Sequence, residues 1–221
     1  LSQEQRTYVG SISTSADALM ALIEDLLDFS KIEAGRFTPE PQAMSPRELV
    51  NNVVELLAAR AYAKGLGLAC HVSPEVPHRI VADPNRLRQV LINLVANATK
   101  FTETGGILIA VDMTGDEEPR IRFQVADTGP GLAPEDVERI FKEFEQVNSA
   151  TTRAQGGLGL GLAISKRLVE AMGGTMDLES APGEGACFVF SFPASLLDAS
   201  DRAAPADLSG SHTLILSRNG A

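Results

Sequence analysis

The segment from Asp83 to Lys100 constrains the chain most, because it is a helix with two jobs. Asp83-Pro84 is a start signal, an N-cap residue followed by a proline at the first helical position. After it, Leu87, Val90, Leu91, Leu94, Val95 and Ala98 recur at helical spacing and form an apolar face. Gln89, Asn93, Asn97 and Lys100 run along another face at steps of four, four and three. The apolar face needs a sheet or helix to lie on. The polar row is either a solvated surface or one wall of a site: an asparagine amide offers a carbonyl oxygen to a hard cation such as Mg²⁺, and a lysine meets phosphate as a point charge.

The strands that would receive this helix are legible around it. Leu66–Ser73 alternates, and Ile107–Met113 and Arg120–Ala126 read as a hairpin of branched and polar residues in turn. Further strands are predicted at Thr175–Glu179 and Ala186–Phe192, with helices after Ser45-Pro46, near Pro134–Phe141 and at about 160–172. Helices bunched between antiparallel strand pairs imply an α/β fold, an open, mainly antiparallel mixed sheet with helices on one face.

Two further segments carry possible chemistry. Asp127-Thr128-Gly129-Pro130-Gly131 closes the Arg120–Ala126 strand. Its glycines let backbone approach a ligand, and a carboxylate at a strand end can accept from an exocyclic amine; the alternative is an ordinary turn. Gly156-Gly157-Leu158-Gly159-Leu160-Gly161 stands directly before a periodic helix, where free N–H groups and the helix dipole suit a polyphosphate. It has neither the G-x-G-x-x-G register after a strand nor a G-x-x-x-x-G-K, so Rossmann and Walker sites are excluded. The stretch Asn148–Gln155, with Thr151, Thr152 and Arg153, reads as a loop, either plainly mobile or able to close over a nucleotide.

The first 35 residues are helical throughout. Ser2 and Gln5 form a capping box, Leu1, Tyr8, Leu22 and Phe29 make one apolar row, and Ile12, Leu19 and Leu26 make a second. Such a stripe on a lone helix needs a partner helix or the neighbouring domain. Composition narrows the rest. Nineteen Lys and Arg against 29 Asp and Glu give a net charge of −10, which disfavours nucleic acid as a partner. No apolar run approaches the roughly 18–20 residues of a membrane span, so no membrane contact is expected. Two cysteines and three histidines make a disulfide framework or zinc cluster improbable and a reducing cytoplasm the expected location.

In order, these pieces resemble the sensor histidine kinases of two-component signalling. Arg86–Thr102 is similar to the family's asparagine box, Asp127–Gly131 to its first glycine box, Ile140–Val147 to its phenylalanine box and Gly157–Gly161 to its second glycine box. Leu26–Gly35 is similar to the end of the second helix of the dimerisation hairpin. The resemblance implies a two-layer α/β sandwich of the type shared with gyrase and heat-shock chaperones. It places the hairpin helix at 1–35, the ATP-binding domain at 36–195, a linker at 196–207 and the start of a degenerate receiver at 208–221. In that receiver Ser217-Arg218 stand where two acidic residues are usual.

The resemblance also assigns roles. Asp127 would receive the adenine amine, flanked by Gly129 and Gly131. Asn97 would hold Mg²⁺, with Asn93 beside it and Lys100 on phosphate. Gly157, Leu158, Gly159 and Leu160 would present N–H groups to the phosphates of ATP, and Arg153 would reach the γ-phosphate. Phe141 and Phe144 would anchor the lid or dock on the bundle, or simply pack in the core. Cys187 would stand near adenine where relatives carry a threonine. The implied activity is γ-phosphoryl transfer from ATP to a histidine and onward to a receiver aspartate, in a homodimer paired through bundle helices and served by a response regulator. None of His71, His78 and His212 has the acceptor's helical context. An ATPase of the same fold would need a carboxylate where Asn93 stands; a nucleotide-regulated docking module is the other alternative.

Overall fold

The structure is a computed structural model that describes residues 2–115, 118–142, 145, 159–193 and 195–196. The tail read as linker and receiver therefore lies outside the described residues, except for Leu196.

Helix α1 (Gln3–Glu33) starts at the anticipated capping box: Ser2 Oγ accepts from Gln5 N–H and the Gln5 side chain accepts from Ser2 N–H. It ends at Ala34 and Gly35, the latter at φ +63°. Ile32 near its end packs on the core, and α1 meets helix α5 (Gly161–Ala171), but Tyr8, Val9, Ile12, Leu19, Met20, Ile23, Leu26 and Leu27 are exposed. Among the described side chains of α1, the apolar stripe is thus largely exposed.

The main sheet has five strands: β2 (Gly67–Val72), β4 (Gly106–Thr114), β5 (Arg120–Asp127), β6 (Thr175–Ser180) and β7 (Ala186–Pro193). Their order is β2-β4-β5-β7-β6, with β2 parallel to β4 and every other pair antiparallel. The predicted hairpin is β4–β5, and the sheet is mixed and mainly antiparallel as expected. Alternation sends Ile107, Ile109, Val111, Ile121, Phe123, Val125, Phe188, Phe190 and Phe192 inward, all at most 6% exposed, while Leu108 faces out at 44%. Helices α2 (Pro46–Ala63), α3 (Pro84–Phe101) and α5 cover that inner face.

Two details escaped the sequence reading. A second, small sheet joins β1 (Gln42–Met44), β3 (Ile80–Ala82) and β8 (Ser195–Leu196), strands too short to show a period. The helix predicted at Pro134–Phe141 is instead a one-turn α4 (Pro134–Val137) followed by a 3₁₀ turn, Arg139–Phe141. Ala133 caps α4 without a side-chain hydrogen bond, so little holds the first turn in register with a second.

Candidate nucleotide-binding site

The site is built on α3, whose position is set at both ends. At the start, Asp83 is 4% exposed; its Oδ1 accepts from Asn85 and Arg86 N–H at 3.1 Å each, and its Oδ2 accepts from Glu40 N–H at 2.9 Å. The one carboxylate caps the helix and ties it to the segment leading out of α1. At the other end, Lys64 Nζ donates to the carbonyl oxygens of Thr99, Lys100 and Thr102 at 2.7, 2.9 and 3.3 Å. An ammonium there satisfies carbonyls that have no intrahelical partner and complements the negative end of the dipole. Between them, Leu87, Val90, Leu91, Leu94, Val95 and Ala98 are all at most 3% exposed, so the predicted apolar face is the core face.

The polar row is half-buried. Asn97 Nδ2 donates to Asn93 Oδ1 at 3.4 Å, and Asn93 Nδ2 donates to Ser165 Oγ on α5 at 2.9 Å. Gly161, the first residue of α5, lies against the same amide: a Cβ there would fall 2.5 Å from Asn93 Oδ1. The start of α5 and the asparagine face of α3 are therefore one joined surface. Gln89 belongs to an earlier turn, where its amide accepts from Arg86 at 2.9 Å. Lys100 Nζ sits 5.0 Å from the Phe101 ring centroid, a cation–π contact beside the helix end.

The acidic turn is locked to the β6–β7 hairpin. Asp127 Oδ1 accepts from Gly129 N–H at 2.8 Å. Gly131 has φ +65°, and a Cβ on it would overlap the carbonyl oxygen of Ala181. The Gly183 N–H donates to Pro130 O at 2.7 Å, Ser180 Oγ accepts from Leu132 N–H at 2.9 Å and its hydroxyl donates to Gly185 O at 2.7 Å. Burial pushes the Asp127 carboxyl above its ordinary value, opposed by the backbone N–H groups of Gly129 and Ala186 and by the nearby Thr102 hydroxyl.

Of the remaining candidates, Gly159 has φ +71°, which favours glycine, and Leu160 is the N-cap of α5 with its side chain 1% exposed in the core. Arg153, Gly157, Leu158 and Phe144 lie outside the described residues. Phe141 packs edge-on to Phe188 at 6.3 Å with Lys166 Nζ 4.9 Å from its ring centroid, so its observed role is packing at the margin of the core. A broad concavity of about 600 Å³ by Glu138, Phe141, Lys142, Lys166 and Arg167 shares no residue with the asparagine row or with Asp127.

Cys187 does not share a sheet face with Asp127, contrary to expectation. It stands in register with Ala126, whereas the ladder partner of Asp127 is Ala186. Alternation puts Cys187 on the opposite sheet face from the Asp127 side chain, where burial and then Glu179 push its thiol up. The residues that sequence reasoning missed are Ser165 and Ser180, and Gly161 was read only as part of the glycine run; a serine four residues past the first residue of α5 was the available sign for Ser165.

Residues 82–196, more than half of the chain, match the model of the histidine kinase-, DNA gyrase B- and HSP90-like ATPase family. The chain belongs to that family. Within it the resemblance is to two-component sensor kinases. The sensor histidine kinase GacS of Pseudomonas protegens is 42% identical over 209 residues, which is 93% of this chain and 23% of that protein. The histidine-protein kinase BarA of Escherichia coli K12 is 41% identical over 192 residues, 86% of this chain and 21% of that one. The chain thus spans less than a quarter of the length of these relatives. Among solved structures, full-length ShkA in complex with AMPPNP aligns with a TM-score of 0.78 at 42% identity, covering 90% of this chain and 41% of that one. Histidine kinase ThkA in complex with the response regulator TrrA aligns at 0.65 and 25% identity, covering 88% and 53%. The fold and the ATP-binding character expected from the four motifs are those of a histidine-kinase ATPase domain.

Whether the residues suit Mg²⁺ can be judged from the donors. Asn97 spends its N–H on Asn93, so its carbonyl oxygen is the end left for a cation. No group of three or more His, Cys, Asp or Glu side chains is placed to hold a metal among the described residues. A cation here would take its other ligands from phosphate oxygens and water, the usual habit of Mg²⁺ at nucleotide sites.

Proposed function

We propose that this chain is the catalytic ATP-binding region of a two-component sensor histidine kinase, together with the second helix of its dimerisation and phosphotransfer hairpin. The observation that carries the reading is the joined surface of Asn93, Asn97, Ser165 and the first residue of α5, which sets a cation-binding amide beside a helix N-terminus. The resemblance to ShkA, which was solved with AMPPNP, supports a triphosphate as the ligand.

Each residue then has a task. Asp127, ionised, accepts from the adenine amine while Gly129 and Gly131 hold its turn. Asn93 orients Asn97, whose carbonyl oxygen takes the cation; Mg²⁺, when bound, neutralises phosphate charge and aligns the phosphates. Lys100 swings from Phe101 to a phosphate oxygen. The N–H groups of Gly157, Leu158, Gly159 and Leu160 hold the polyphosphate at the positive end of α5, and Arg153 reaches the γ-phosphate. Catalysis by this domain is positioning and charge stabilisation. A histidine imidazole nitrogen attacks the γ-phosphorus, the bond to the β,γ-bridging oxygen breaks, and ADP leaves.

Helix α1 carries no histidine, so the acceptor belongs to another helix. The exposed apolar stripe of α1 is the surface on which that helix and a second copy of the chain would pair, giving the homodimer. A response regulator or receiver domain, as in the ThkA–TrrA complex, would take the phosphoryl group onward. A cytoplasmic setting follows from that partner, and no helix among the described residues is long and apolar enough to cross a membrane. The test supplies a helical peptide bearing the family's histidine and γ-labelled ATP: label on the peptide supports the reading, and ATP binding without transfer leaves a nucleotide-regulated docking module.

A further inference from the structure

Thr102 ends α3, and every polar group on it except one is engaged. Its N–H donates to Ala98 O at 2.9 Å, and its carbonyl accepts from Lys64 Nζ at 3.3 Å. Its side chain is 0% exposed, and its hydroxyl makes no hydrogen bond of good geometry, although it lies near enough to the Asp127 carboxyl to draw that group's pKa down. A buried hydroxyl left unpaired destabilises the fold, and a valine of the same shape would avoid the loss. Such a group calls for an explanation outside packing.

The space beside the hydroxyl supplies one. A Cβ placed on Gly129 would lie 3.4 Å from Thr102 Oγ1 and 2.7 Å from Asp127 Oδ1. The absence of a side chain at Gly129 leaves a small space bordered by both oxygens. The neighbouring Thr128 is not a substitute, because its hydroxyl donates to Thr104 O at 2.9 Å and accepts from Gly106 N–H at 3.0 Å. The ladder partner of Asp127, Ala186, offers its backbone N–H but no side-chain donor. Thr102 therefore carries a spare donor next to the carboxylate assigned to the base.

We propose that Thr102 is a positioning residue for base recognition: its hydroxyl turns to donate to the Asp127 carboxylate when a purine amine engages that group, fixing the carboxylate's rotation so that a lone pair faces the amine. This deepens the ATP-binding reading and rests on it. Gly129 N–H holds Oδ1, and the hydroxyl borders the same small space beside Gly129. The nearness of the hydroxyl is already felt in the ligand-free carboxyl, which it draws down against the effect of burial.

The test titrates ATP and purine-riboside triphosphate, which lacks the exocyclic amine, into the wild-type chain, Thr102→Val and Thr102→Ser by calorimetry, with melting curves alongside. The expected result is a loss of about tenfold in ATP affinity for Thr102→Val, the scale of one hydrogen bond to a charged group. Its affinity for the amine-free analogue stays unchanged, and Thr102→Ser restores ATP binding to within about twofold of wild type. Because an unpaired hydroxyl is removed, Thr102→Val should also melt no lower than wild type. Equal losses for both nucleotides, an unchanged ATP affinity, or failure of Thr102→Ser to restore it would overturn the proposal. If the valine variant fails to fold, Thr102→Ala is read against the same two nucleotides by the same criteria. A wild-type chain that binds neither nucleotide defeats the ATP-binding reading itself, a separate and recognisable failure.

Discussion

Two glycines in and beside one hairpin turn separate the cost of a backbone conformation from the cost of losing a contact. Gly131 and Gly183 both have positive φ, +65° and +82°. An alanine in that region costs about 1–2 kcal/mol for its Cβ alone. At Gly183 nothing lies within 4 Å of the added atom, so the expected cost of Gly183→Ala stays at about 1 kcal/mol. At Gly131 the added atom would overlap Ala181 O and approach Gly185 O to 2.9 Å, both backbone atoms that cannot swing aside. Displacing them adds strain of about 1–3 kcal/mol, bringing Gly131→Ala to about 3 kcal/mol. With about 2–4 °C per kcal/mol for a domain of this size, the melting temperature should fall about 6–12 °C for Gly131→Ala and about 2–4 °C for Gly183→Ala. The turn that moves carries Asp127, so ATP affinity should fall at least about tenfold for Gly131→Ala and stay within about twofold for Gly183→Ala. Scanning calorimetry and nucleotide titration read both. Equal melting shifts, or wild-type ATP affinity in Gly131→Ala, would refute the argument that hairpin contact holds the acidic turn.

The Asp127 carboxyl is pushed above its ordinary value chiefly by burial, so the ionised form that accepts from an amine is lost as pH falls through that raised value, and ATP affinity measured across pH should fall with it. The stability sign is opposite: a carboxyl whose folded pKa exceeds its unfolded one contributes fully below the unfolded value and loses that contribution as pH rises through the folded one. Asp127→Asn should therefore raise the melting temperature near pH 7 while removing most ATP binding; a lower melting temperature would contradict this. Asn97→Ala should weaken nucleotide binding about tenfold with Mg²⁺ and no more than about twofold without it, by calorimetry in the two buffers. Lys64→Met removes the ammonium that closes the end of α3 and should cost about 1 kcal/mol, a drop of about 2–4 °C in the melting scan, with Lys64→Arg intermediate.

The parts of the fold legible in sequence are those that local chemistry decides. The start of α3 at Asp83 and its buried face follow from a cap and a 3.6-residue period, and the β4–β5 hairpin follows from alternation. The small sheet was not legible, because strands of two or three residues carry no period and the β3–β8 pairing joins residues more than a hundred positions apart. The broken helix at Pro134–Phe141 shows periodicity overreaching where no cap supports it. In the site, the asparagine row and the acidic turn could be read as residues, but what links them could not. Ser165 meets Asn93 across 72 positions through the packing of α5 on α3. Cys187 was misplaced because which of two adjacent β7 residues lies beside Asp127 depends on the register of β7 against β5, a long-range pairing that no local turn signals. Thr102 was quoted within its motif, but its unpaired hydroxyl is a property of the surrounding atoms alone.

The central claim is that Asp127 and the α3–α5 surface form one ATP site, and calorimetric titration of the purified chain with AMPPNP, with and without Mg²⁺, tests it most directly. The account predicts saturable binding at one site, tightened by Mg²⁺ and largely abolished by Asp127→Asn in a protein that still melts cooperatively. No heat of binding to the wild-type chain, or equal binding by Asp127→Asn, would contradict it.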